Sequence, residues 1–172
     1  MSNPSPVITR VAREHWSRFR AMRLAALAES PAMFGSTSAR EAAFNEQEWR
    51  RRAQRPVTFL ASLDGTDVGL VGVHEFDGNW TVVSMWISPD ARGLGIVDAL
   101  MEACENVARQ AGSDSLVLGV MEENTAGRRA YRRLGFEPIA RRDHIGDGRI
   151  EMWMAKSLNP PQESPFTAGK DH

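Results

Sequence analysis

The chain has 172 residues, 42% apolar and 25% charged, with a net charge of −1. That size and balance fit one globular domain, exclude disorder as the main state, and provide no global field that would draw nucleic acid. The single cysteine, Cys104, excludes a disulfide framework or a cysteine-based zinc cluster, and no apolar run approaches the ~20 residues of a membrane span.

The opening Met1-Ser2-Asn3-Pro4-Ser5-Pro6 lacks the apolar core of a secretory signal, so a soluble cytoplasmic protein is expected. Val7 to Val11 reads as a short strand. Residues 13–29 read as a helix with Trp16, Phe19, Met22, Ala26 and Leu27 on one stripe, ended by Pro31. Phe34 to Ser38 reads as a loop and residues 45–55 as a second, polar helix. Strand patterns follow at Val57 to Leu63, Val68 to Phe76 and Trp80 to Ile87, separated by the turn signals Asp64-Gly65 and Asp77-Gly78. The clearest helix starts near Gly95, with Val97, Leu100, Met101, Cys104, Val107, Ala108 and Ala111 on one face and Gly112 at its end. Leu116 to Val120 is a strand, residues 125–134 a short helix stopped by Gly135, and Phe136 to Arg142 and Arg149 to Ala155 a closing strand pair.

The resulting order is βααβββαβαββ: a meander, then a strand–helix–strand crossover. It predicts an α/β (α+β) domain with a mixed, mostly antiparallel central sheet and helices on both faces. Residues 1–158 are expected to form that single domain, and the proline-containing segment 159–172 a disordered tail.

Charge is uneven along the chain. Residues 1–55 carry 10 Arg and 5 acids, residues 56–126 carry 2 Arg and 11 acids, and residues 127–172 carry 9 basic and 6 acidic groups. The acidic middle faintly favours a cationic substrate.

Two segments carry chemistry. In Arg92-Gly93-Leu94-Gly95-Ile96-Val97 two glycines let backbone N–H groups approach a ligand, the following helix adds free donors and a positive dipole end, and Arg92 adds a cation. This suits a pyrophosphate. It is neither a Walker loop, which needs Gly-Lys-Ser/Thr, nor a dinucleotide fingerprint, since Asp98 stands where the third glycine belongs. The second segment is Asn124-x-x-Gly127-x-x-x-Tyr131-x-x-x-Gly135-Phe136.

Together, at this separation and behind the strand Met85-Trp86-Ile87-Ser88-Pro89, these segments resemble the GCN5-related N-acetyltransferase (GNAT) family over about residues 7–157. The resemblance implies an acetyl-CoA-dependent N-acetyltransferase that acts by direct attack of a primary amine in a ternary complex. A non-catalytic acyl-CoA-binding module on the same fold is the alternative. Arg92, Gly93, Leu94, Gly95, Ile96 and Val97 would wrap the pyrophosphate. Met85, Trp86 and Ile87 would offer backbone groups to the pantetheine arm, and an N–H near Ile87 would polarise the thioester carbonyl. Asn124 would bind the CoA arm or the acceptor side. Tyr131 would protonate the leaving thiolate.

Three positions depart from the family pattern: Val97 replaces a small residue, Gly127 replaces Ala, and Thr81 stands where many members carry Glu. The last leaves the general base open. A primary amine, with pKa ~10, is mostly protonated at neutral pH and must lose a proton before it attacks. Glu75 is the first candidate, then Glu122; Asp77, Glu123, His74 and a water on Ser84 are others. Among Arg128, Arg129, Arg132 and Arg133, one or two are placed to reach the CoA 3′-phosphate. Cys104 reads as core. Residues 24–50, including Phe34, Ser36, Thr37 and Trp49, are expected to roof the acceptor. The acceptor is a small-molecule or protein amine, with no nucleic acid, membrane or metal partner, and the protein is a monomer or homodimer.

Overall fold

A computed structural model describes residues 4–159. The chain opens with β1 (Val7–Arg10), passes a 3-10 turn at Arg13–His15, and enters α1 (Trp16–Glu29). Phe19, Met22, Ala26 and Leu27 are buried along α1, the predicted stripe. Proline at 31 stops it, and a second 3-10 turn covers Pro31–Met33. The expected loop, Phe34 to Ser38, leads at its end into a short helix the sequence did not reveal, α2 (Ser38–Ala42), started by Thr37, whose side chain accepts from the Arg40 amide. After it comes α3 (Glu46–Arg52), capped by Asn45. The observed order therefore has three helices between the first two strands rather than two.

The meander forms as predicted: β2 (Val57–Leu63), β3 (Thr66–Phe76) and β4 (Asn79–Ile87). Asp64-Gly65 and Asp77-Gly78 both lie at positive φ, the two-residue turn whose twist matches the flanking strands. A 3-10 turn at Pro89–Ala91 leads through the glycine loop into α4 (Ile96–Gln110), followed by β5 (Ser115–Met121), α5 (Thr125–Arg133), β6 (Glu137–Ile145) and β7 (Arg149–Ser157).

These strands make one sheet in the order β1-β2-β3-β4-β5-β7-β6. Every pairing is antiparallel except β4 with β5. The predicted mixed sheet with helices on both faces is what forms. On one face, α4 packs Ile96, Leu100, Met101 and Cys104 against Val71, Val73 and Val82. On the other, α1 and α3 bring Phe19, Met22, Ala26 and Trp49 onto Leu60, Leu70 and Trp86. Of residues 159–172, the expected tail, all but Asn159 fall outside the described residues. Among the described residues no helix is long and apolar enough to cross a membrane.

The feature that positions the site is a gap in this sheet. The β4–β5 ladder pairs only Thr81 with Val117 and Val82 with Leu118. Just beyond, the β3–β4 register shifts by one residue between Leu70/Trp86 and Gly72/Val83. Ser84 sits in the interrupted stretch at φ 58. That is a β-bulge, which bends a strand and ends its pairing. Past it, β4 and β5 run without pairing to each other.

Candidate active site

Along an antiparallel strand, successive residues turn their backbone groups to opposite edges. The Ser88 amide donates to the Val68 carbonyl at 2.7 Å, and Trp86 pairs with Leu70 in the same register. Met85 and Ile87 therefore turn their backbone groups to the open edge facing β5. Of the three residues expected to offer backbone to a ligand, Met85 and Ile87 face the open edge, while Trp86 turns its backbone to β3. The Ile87 carbonyl accepts Arg92 Nε at 3.1 Å, which leaves its N–H as the group on offer.

Arg92 is held on both ends. Its Nη2 donates to Glu29 Oε2 at 2.9 Å, and Trp86 Nε1 donates to the same oxygen at 2.8 Å. Glu29, which also accepts from the Ser30 hydroxyl, is held below its ordinary value first by Ser30 and then by Trp86; burial opposes them, and Arg92 adds the remainder. The Arg92 cation thus ties the end of α1 to β4 while half of its side chain stays exposed beside the glycine loop.

The glycine loop has the shape the sequence asked for. Gly93 and Gly95 take φ 80 and 77, and Gly95 is the left-handed residue immediately before α4. Ala99 donating to the Gly95 carbonyl at 3.3 Å opens the helix ladder. The amides before it, including those of Ile96 and Val97, are the donors every helix start leaves free. Gly93, Leu94 and Gly95 are exposed, Ile96 is buried in the core, and Val97 packs on the core edge while lining the cavity beside Arg92.

Across the gap stands α5. Asn124 caps it by accepting from the Gly127 amide at 2.9 Å. A Cβ on Gly127 would lie 2.5 Å from Asn124 Nδ2, so glycine at this position gives the cap its room. Tyr131 packs edge-on against Phe136 with ring centroids 6.1 Å apart. Burial, aided by Cys104, pushes its phenol up to about 12. At neutral pH that phenol is a proton donor. Cys104 is fully buried on α4, its thiol also raised by burial to about 12, which agrees with a core role. Arg133 forms a two-point pair with Asp98 at 3.1 and 2.8 Å, so it is engaged within the fold.

The acidic candidates separate sharply. Glu75 pairs across the hairpin with Trp80, four residues before Ser84, which is roughly 13 Å along the strand. It lines a surface cavity with His74, Asp77 and Trp80, away from Tyr131. Position along the strand thus removes Glu75 and Asp77 from the gap. Glu122 is engaged by Arg142 Nη2 at 2.6 Å. Thr81 is buried, with its hydroxyl donating to the Asn79 carbonyl at 3.2 Å. Burial lowers His74, which keeps it neutral at pH 7.

The carboxylate that does reach the gap is Glu151, near the start of β7. It crosses onto Gly119 of β5, where a Cβ would stand 2.5 Å from Oε1. Burial raises its carboxyl, Asp143 adds to that, and Arg141 opposes it. Sequence reading passed over Glu151; the available signal was a lone acid inside an apolar closing strand. It also passed over Arg23, a charge inside the buried stripe of α1. Arg23 is buried, clasped by Glu41, and donates from Nη1 to Ser84 Oγ at 2.9 Å. Of the expected roof residues, Phe34 reaches the gap, Ser36 helps hold the Glu41 carboxyl down, Thr37 caps α2, and Trp49 of α3 is fully buried between Phe19 and Phe44, away from the gap.

Three cavities run into one another along the gap. One of about 370 Å³ lies beside Ile87, Arg92, Val97 and Gly127. It shares Met33, Met85, Asn124 and Tyr131 with a small central pocket. That pocket shares Ser84, Gly119 and Glu151 with an outer cavity of about 350 Å³ lined by Phe34, Phe76 and Trp153. The arrangement can hold an extended chain on β4, a carbonyl polarised by the Ile87 N–H, and a second molecule from the far side.

The family model described as Acetyltransferase (GNAT) family matches residues 14–136. An uncharacterized N-acetyltransferase of Methanocaldococcus jannaschii is 34% identical over 79 residues, 45% of this chain and 51% of that one. The chain thus spans about half the length of the curated relatives it matches first. An L-methionine sulfoximine/L-methionine sulfone acetyltransferase of Pseudomonas aeruginosa is 27% identical over 134 residues, 70% of this chain and 77% of that one. The structure of a GNAT-family acetyltransferase from Streptococcus pneumoniae superposes with a TM-score of 0.75 at 16% identity, covering 90% of this chain and 100% of that one. That likeness is one of fold.

Proposed function

Because this chain belongs to the GNAT acetyltransferase family, we propose that it transfers the acetyl group of acetyl-CoA to a primary amine by direct attack in a ternary complex. The observation that carries the reading is the gap between β4 and β5, with free backbone edge on one wall and Tyr131 on the other, continuous from the glycine loop to the outer cavity.

In this reading the amides from Gly93 to Val97 hold the pyrophosphate at the start of α4. The pantetheine arm lies along Met85 and Ile87 as an added strand. The free N–H of Ile87 polarises the thioester carbonyl, where one well-aimed donor is worth about 10²–10³ in rate. Asn124 borders both the donor arm and the reaction pocket. Tyr131, protonated at working pH, gives its proton to the departing thiolate. No group of three or more His, Cys, Asp or Glu placed for a metal occurs among the described residues, and these steps use none. The reading sets the protein in the cytoplasm, where a free buried cysteine is at home.

The test is thiol release from acetyl-CoA in the presence of an amine panel that includes L-methionine sulfone. Turnover on one amine class confirms the reading. Tight acetyl-CoA binding with no turnover on any amine redirects it to a binding module, and no acetyl-CoA binding ends it.

A further inference from the structure

We infer that Glu151 receives the acceptor's ammonium group and takes its proton, and that the acceptor is a primary amine carried on an apolar, flat body without a carboxylate beside the amine. The inference rests on the acetyltransferase reading above and adds the base and the substrate class to it.

Glu151 is the carboxylate common to the central pocket and the outer cavity. Its side chain lies across Gly119, in the stretch where β5 has left β4, with Ser84 and Tyr131 on the facing walls. A half-buried carboxylate calls for a cation. The charged and titratable groups that face it are Asp143 and Arg141 from β6, Tyr131 from α5, His74 from β3 and Arg23 from α1. None of the basic ones is available to it. Arg141 pairs with Asp143 at 3.0 Å and lies 4.1 Å over the Trp153 ring. Arg23 is clasped by both oxygens of Glu41, and His74 is kept neutral by burial. The missing cation is the substrate's own. Burial and Asp143 lift the Glu151 carboxyl above its ordinary value, toward the working pH, which suits a general base.

The same accounting excludes an α-amino acid. Its carboxylate would need a free guanidinium or ammonium in the outer cavity, and both arginines there or beside it are already paired. What the cavity offers is the faces of Phe34, Phe76 and Trp153. These suit an aromatic or apolar body and add attraction for its cationic end.

The step balances. The ammonium proton passes to a Glu151 oxygen. The freed nitrogen lone pair forms the N–C bond to the thioester carbonyl carbon, and the C–S bond breaks. The thiolate takes the Tyr131 proton, and the nitrogen's next proton returns to Tyr131 through solvent. Ammonium and thioester become amide, thiol and one released proton.

Calorimetric titration of the full chain, saturated with CoA, tests this with tyramine and L-tyrosine as probes. Tyramine should bind at least tenfold more tightly than L-tyrosine. Glu151→Gln should weaken tyramine at least tenfold, leave CoA affinity unchanged, remove the acidic limb of the pH–rate profile, and raise Tm, because a carboxylate whose pKa is raised by burial is a charge the fold would rather lose. Gly119→Ala, which keeps the carboxylate but displaces it, should weaken tyramine too. Equal binding of the two probes, no tyramine binding to a protein that binds CoA, or full tyramine binding by a folded Glu151→Gln variant overturns the inference. Loss of CoA binding by the unaltered chain would instead strike the acetyltransferase reading.

Discussion

Arg23 holds both carboxylate oxygens of Glu41, Nε to Oε2 and Nη2 to Oε1, each at 2.9 Å. The pair is buried, with the Glu41 side chain only 1% exposed. Breaking such a pair from one side leaves a charge without water or partner, an effect of about 3–5 kcal/mol. Glu41→Ala is therefore expected to lose about that much stability by urea unfolding. The loss should also release Ser84, which Arg23 holds at the bulge.

The same pair makes stability depend on acid. Burial pushes the Glu41 carboxyl up, but the Arg23 hydrogen bonds and charge, with Ser36 and Arg52, outweigh it and hold the group below its ordinary 4.5. A depressed carboxyl contributes its full stabilisation above its unfolded value and loses it as pH falls through the lower folded one. The urea midpoint of the natural chain should fall as pH drops below about 4.5. Glu41→Gln should start lower and decline less. An identical slope in the two proteins would remove Glu41 as the cause.

Tyr131→Phe keeps the ring packed on Phe136 and removes only the proton donor. Turnover should fall about 10²-fold or more with little change in acetyl-CoA affinity. With the phenol raised to about 12, no loss of activity from its ionisation should appear up to pH 10. Steady-state kinetics across that range checks both points.

Gly95 enters α4 at φ 77 with open space where a side chain would go, so the obstacle to substitution is conformational rather than steric. Gly95→Ala should cost about 1–2 kcal/mol of strain. Relief of that strain by turning the loop should weaken CoA binding more than it lowers Tm. Calorimetry beside thermal melting separates the two effects.

Trp49 is fully buried, yet its indole N–H finds no acceptor among the described residues. An unsatisfied buried donor is destabilising by about 1–3 kcal/mol. Trp49→Phe removes the donor and leaves a small cavity, so it should be nearly neutral. Trp49→Ala empties the space between Phe19 and Phe44 and should lose about 3–5 kcal/mol. Equal losses in the two variants would mean the donor is satisfied in solution.

Much of the architecture was legible in the residues. The α4 stripe and the two Asp-Gly turns fixed the type and order of the elements around them, because each is a local pattern. The glycine loop and Tyr131 were legible for the same reason. The short α2 was not, since five residues carry no periodicity and its start depends on one Thr37 cap. Glu75 was misplaced because sequence gives its neighbours along the strand but not the end of the strand at which the sheet opens. That end is set by a one-residue register shift at Ser84. Glu151 reaches the gap only because β7, last in the chain, inserts next to β5 rather than at the edge.

The gap also divides the sheet mechanically. Four strands lie on one side and three on the other, and the backbone joins them at two register positions, Thr81–Val117 and Val82–Leu118. An empty molecule is accordingly two leaves on a narrow spine, with α4 as backing. In the proposed reading, a donor chain laid along Met85 and Ile87 would supply the rungs that β5 withholds and so act as a splint as well as a reactant. Loading the donor first would set the spacing of the walls before any amine arrives.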